Sequence, residues 1–97
     1  MAGAKPTEKI SKMKPVLFTT RMPGVRSVRV TGDFTKWSNE GIALEASAGG
    51  EWKVELKLAP GQYEYRLLVD GQWRDHPEAV KVVQNPFGSQ NGILTVR

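Results

Sequence analysis

From residue 15 onward, apolar and polar side chains alternate with a period of two, the pattern of strands that bury one face. The clearest case is EWKVELKL at 51–58, where Trp52, Val54, Leu56 and Leu58 fall opposite Glu51, Lys53, Glu55 and Lys57. Such a strand meets a core on one side and water on the other. In YEYRLLV at 63–69, Tyr63, Tyr65, Leu67 and Val69 share a face opposite Glu64, Arg66 and Leu68. VRSVRVTG at 25–32 sets Val28 and Val30 against Arg29 and Thr31, and PVLFTTR at 15–21 reads as a first strand that MPG breaks. AVKVVQN at 79–85 and GILTVR at 92–97 supply two more strands, separated by PFGSQ.

The connections carry turn chemistry. Asp70-Gly71 follows the 63–69 strand, and a type I′ hairpin turn needs positive φ at both central positions, which Asp and Gly tolerate. APGQ at 59–62 is a second turn, and DFTKWSNEG at 33–41 is a polar, turn-rich connection. No segment sustains a helical period. Short strands at close spacing with turns between them predict an all-β fold, an antiparallel β-sandwich.

Residues 1–14, MAGAKPTEKISKMK, lack this alternation and predict a flexible basic tail or linker ahead of a single domain at 15–97. A chain of 97 residues is long enough for one core. The net charge of +4 would ordinarily suggest a polyanionic partner, but Lys5, Lys9, Lys12 and Lys14 against Glu8 leave only +1 for the remainder. The domain is therefore expected to bind neither nucleic acid nor a membrane. The sequence has no cysteine, which removes disulfides and thiolate sites and fits a cytoplasmic setting. No apolar run reaches the length of a membrane span or resembles a secretory signal.

Candidate catalytic chemistry is sparse. His76 is the only histidine, which excludes multi-histidine metal arrangements, and no Ser/His/Asp arrangement is expected. Asp33, Asp70 and Asp75 fall in predicted turns without a strand-borne partner, and there is no glycine-rich phosphate loop. No enzyme, metal or cofactor is expected. The aromatic residues are more telling. Trp52, Tyr63 and Tyr65 lie on predicted core faces, and Phe18 and Phe34 are expected to join them. Trp37 and Trp73 instead sit beside turns among polar residues, either as rings laid over the end of the sandwich or as flat platforms for a ligand. A pyranose ring offers a matching apolar face with hydroxyls around its rim, for which Arg66 can donate and Asn91 can both donate and accept.

The stretches VRVTGDFTKWS, GEWKVELKLAPGQYEYRLLVDGQW and NPFGSQNGILTVR, in this order, resemble the family 48 carbohydrate-binding module, best known from the beta subunit of AMP-activated protein kinase. The likeness spans roughly residues 15–97. It implies an immunoglobulin-like, early-set sandwich that binds α-1,4-linked glucan without catalysis and partners a glycogen-metabolising enzyme or kinase. By that likeness Trp37 and Trp73 stack on glucose rings and Arg66 contacts hydroxyls. A late loop adds Phe87, Ser89 and Asn91. Arg66, Phe87 and Ser89 replace the Lys, Leu and Thr usual in the kinase subunit. The alternative is an early-set domain serving as a protein-interaction scaffold, with its tryptophan rings covered.

Overall fold

A computed structural model describes residues 13–97. The expected tail lies almost wholly outside them, and Lys14 already belongs to the first strand. Nine strands follow in chain order: β1 Lys14–Arg21, β2 Val28–Gly32, β3 Ile42–Ala43, β4 Glu45–Ala46, β5 Glu51–Leu58, β6 Gly61–Val69, β7 Gln72–Arg74, β8 Val82–Gln84 and β9 Gln90–Val96. They form two antiparallel sheets, one ordered β1-β5-β4, the other β3-β2-β6-β9-β8 with β7 also paired to β6. The chain is an antiparallel β-sandwich, as its alternation predicts.

The core lies between the sheets. Phe18 and Leu56 from the smaller sheet meet Val28, Val30, Tyr65, Leu67 and Val69 from the larger, and Val30 and Leu67 are wholly buried. Trp52 is half-buried against this cluster and donates its indole N–H to the Met22 carbonyl at 3.2 Å. Phe34 and Tyr63 pack edge to face, with centroids 6.1 Å apart, at the margin of the core.

The Asp70-Gly71 turn forms with positive φ at both residues, 51° and 82°. The Asp70 carboxylate also accepts the backbone N–H groups of Arg26 and Ser27 at 2.8 and 2.9 Å, which ties the hairpin to the loop before β2. Two expectations change. The strand expected at 79–85 shrinks to β8, because the chain after Pro77 is a turn that leaves Val80 fully exposed before pairing with β9 begins. Conversely, β3 and β4 fall in IALEA at 42–46, whose two-residue strands are too short to show a period.

Tyr65 pairs with Gly32 on one side and Gly92 on the other. A Cβ at Gly92 would stand 2.5 Å from Tyr65 Cζ, and one at Gly32 would stand 2.2 Å from the Glu64 carbonyl oxygen. Both positions therefore exclude a side chain through close approach. Gly92→Ala is expected to destabilise the domain by about 1–3 kcal/mol through overpacking. At roughly 4–8 °C per kcal/mol for a domain of this size, a thermal melt will register it.

Candidate functional site

The outward face of the larger sheet holds a trough of about 580 Å³ lined by Trp37, Arg66, Trp73, Asn85, Phe87 and Asn91. Arg66 comes from the outward face of β6, Trp73 from β7, Asn91 from β9, Trp37 from the turn after β2, and Asn85 and Phe87 from the β8–β9 loop. Trp73 pairs with Leu68, and paired residues share a face. This explains an otherwise anomalous Leu68, which points outward in the alternation yet is only 6% exposed.

Trp37 is set by an unusual backbone. A short 3₁₀ turn at Asp33–Thr35 is followed by Lys36 and Trp37, both left-handed, with φ of 54° and 56°. Such values are uncommon outside glycine and require surrounding bonds to hold them. Trp37 N–H donates to the Gly32 carbonyl at 2.9 Å, and Ser38 N–H donates to the Thr35 carbonyl at 3.2 Å. The buried Thr31 hydroxyl donates to the Ser38 carbonyl at 2.8 Å and lies 2.7 Å from the Thr35 hydroxyl. The Trp37 indole N–H donates to Asp33 Oδ1 at 3.0 Å, which fixes the ring as well as the backbone. The two indoles stand with centroids 6.4 Å apart and planes inclined by 35°. Trp73 is 41% exposed and Trp37 is half-buried, so neither ring is sealed within the domain.

The polar residues are less free than the sequence suggests. Arg66 is mostly buried, and its Nη2 donates to Asp75 Oδ1 at 2.7 Å, while Nε has no partner among the described residues. Asn91 is buried and committed at both ends, accepting from Asn85 Nδ2 and donating to Glu64 Oε1, each at 3.0 Å. Phe87 is almost fully exposed. Of the six expected site residues, five line the trough, and Ser89 does not. Ser89 sits in the same loop, with its backbone N–H held by Asn85 Oδ1 at 3.1 Å.

Asn85 was not foreseen. Its Oδ1 also accepts the Phe87 N–H at 3.0 Å, and its own N–H donates to the Ser89 carbonyl at 2.9 Å, so it organises the loop that presents Phe87. The Asn-Pro at 85–86, a turn-initiating pair, was the available signal. Among the described residues, no cluster of His, Asp or Glu could hold a metal ion.

The antiparallel sandwich thus carries an open aromatic trough edged by amides and a guanidinium, flat apolar faces set beside hydrogen-bonding groups. Residues 14–97 match the family described as the glycogen recognition site of AMP-activated protein kinase, and the chain belongs to that family. It is 34% identical over 87 residues to Protein FLOURY ENDOSPERM 6, chloroplastic, of Oryza sativa subsp. japonica, covering 90% of this chain and 16% of that protein. It is 37% identical over 75 residues to SNF1 protein kinase subunit beta-2 of Saccharomyces cerevisiae, covering 75% and 18% respectively. With 5'-AMP-activated protein kinase subunit beta-1 of Sus scrofa, identity is 34% over 74 residues, covering 76% and 57%. The chain thus spans a minor part of the first two and little more than half of the third.

The one histidine lies behind the trough, next in sequence to Asp75. His76 Nδ1 is 2.5 Å from the Tyr65 hydroxyl, and its ring is 5.1 Å from that of Phe18. Burial pushes the Tyr65 phenol up to about 12, so the phenol keeps its proton at neutral pH. Burial also lowers the imidazole below its ordinary 6.5, against the opposing pull of Glu78. The unfolded chain therefore takes up the His76 proton first as pH falls, and stability declines below about pH 6.5. The unfolded Tyr65 ionises first as pH rises, so stability declines again above about pH 10. Thermal melts should show both limbs. His76→Gln should flatten the descent below about pH 6.5 relative to the wild type.

Proposed function

We propose that this domain is a non-catalytic module that binds α-1,4-linked glucan, with glucose rings stacked on Trp37 and Trp73. The pair of inclined indoles on an open trough carries this reading. Coplanar plates suit a straight, flat chain, whereas plates tilted by 35° suit one that curves. An α-1,4 chain curves because the axial bond at C1 turns each ring relative to the last. Phe87 projects beside the plates as a third apolar surface, where a curved chain or a cyclodextrin can close around it. Arg66, Asn85 and Asn91 supply the polar edge beside the plates.

A shallow site of this kind gives modest affinity, on the order of 10 μM to 1 mM, or roughly 4–7 kcal/mol. That strength suits tethering: the module would hold an attached enzyme or kinase subunit on a glucan polymer, and several copies would add avidity. Relatives that are kinase subunits by name support a protein partner of this kind. Calorimetric titration with maltoheptaose should give saturable binding that falls more than about tenfold in Trp37→Ala and in Trp73→Ala. β-Cyclodextrin, titrated in parallel, should lose affinity in Phe87→Ala as well. Absence of heat with both sugars from the folded wild type would refute the assignment.

A further inference from the structure

We infer that Glu64, which is not among the residues lining the trough, is a positioning residue that sets the polarity of both trough asparagines and thereby the placement of Phe87. This rests on the glucan-binding reading. The observation is an unbroken hydrogen-bonded chain across the outward face. Asp33 accepts the Trp37 indole N–H on Oδ1 and the Glu64 backbone N–H on Oδ2, at 3.0 and 2.8 Å. Glu64 Oε1 accepts from Asn91 Nδ2, Asn91 Oδ1 accepts from Asn85 Nδ2, and Asn85 Oδ1 accepts the backbone N–H groups of Phe87 and Ser89. One continuous path therefore joins the first tryptophan to the loop bearing the exposed phenylalanine.

The path has a direction, and the Glu64 carboxylate imposes it. A carboxylate can only accept, whereas an asparagine amide accepts at one end and donates at the other. Glu64 therefore obliges Asn91 to offer its NH₂ group, which turns Asn91 Oδ1 toward Asn85. Asn85 must then offer its own NH₂, and its Oδ1 is left facing the loop. That orientation is the one the loop needs, because Phe87 and Ser89 present donors. With no acceptor at residue 64, Asn91 is free to turn over, and a turned Asn91 would set its NH₂ against that of Asn85, so that Asn85 either loses this partner or turns its own NH₂ against two backbone N–H groups. Glu64 is half-buried on β6, two residues before Arg66 on the same face, so it acts through Asn91.

The test uses Glu64→Met, which keeps the length and removes the acceptor, and Glu64→Gln, which keeps an acceptor without the charge. Glu64→Ala makes the same cut with less bulk should the Met variant fail to fold. The first readout needs no sugar: hydrogen exchange of the Phe87 and Ser89 backbone amides, compared with that of Val54 in β5. Exchange at Phe87 and Ser89 should quicken about tenfold or more in Glu64→Met, stay near wild type in Glu64→Gln, and leave Val54 unchanged. The second readout is β-cyclodextrin affinity, which should fall about tenfold in Glu64→Met and recover in Glu64→Gln. Unchanged exchange at Phe87 and Ser89 overturns the inference, as does altered exchange with unaltered affinity. A wild type that binds no glucan refutes the functional reading alone, and the exchange data then still decide whether Glu64 orders the loop.

Discussion

The Tyr65 ring lies across Gly92 and directs its hydroxyl to His76, and this contact anchors both faces of the larger sheet. Its strand is flanked by glycine on both sides, Gly32 on β2 and Gly92 on β9, so the backbones close around an aromatic that no other neighbour would admit. The ring also meets Phe18 of the smaller sheet edge-on, with centroids 5.2 Å apart. That contact joins the two layers.

With Tyr65 fixed inward, the period of the strand fixes the rest. Glu64, Arg66 and Leu68 must face outward, and these three support the trough: one orders the amides, one lines the wall, and one lies opposite Trp73. A slip of one residue in β6 would bury Arg66 and expose Leu67. Core packing and site geometry are thus two results of a single register. His76 extends the link, since it caps Tyr65 while its neighbour Asp75 holds the Arg66 guanidinium.

The sequence discloses the fold where alternation is long and the turn is chemically marked. β5, β6 and the Asp70-Gly71 hairpin are of this kind, and with them come Trp73 and Arg66. Trp37 could be singled out because an indole among polar turn residues has no evident core to join. The left-handed backbone that aims it could not be seen, since Lys36 and Trp37 carry no mark of that conformation. Glu64 and Asn85 were illegible for another reason. Each looks like an ordinary surface or turn residue within its own segment, and each gains its role only from partners that folding brings to it: Glu64 from Asn91 on the neighbouring strand, and Asn85 from Asn91 and the loop amides it holds. Ser89 shows the converse: likeness placed it in the site, whereas the loop turns its backbone, held by Asn85, to structural use.

The paired left-handed residues beneath Trp37 bear on how a flexible ligand is met. An indole on an ordinary surface turn samples several rotamers, and binding must freeze them at a cost of about 0.5–1.5 kcal/mol for each side chain immobilised. Here the strained turn and the Asp33 carboxylate have already confined the ring when the chain folds. The entropic cost is met once, in folding, and does not recur with each encounter. On the glucan-binding reading proposed above, a shallow surface can then discriminate by shape, because the glucan meets a plate whose angle is already decided.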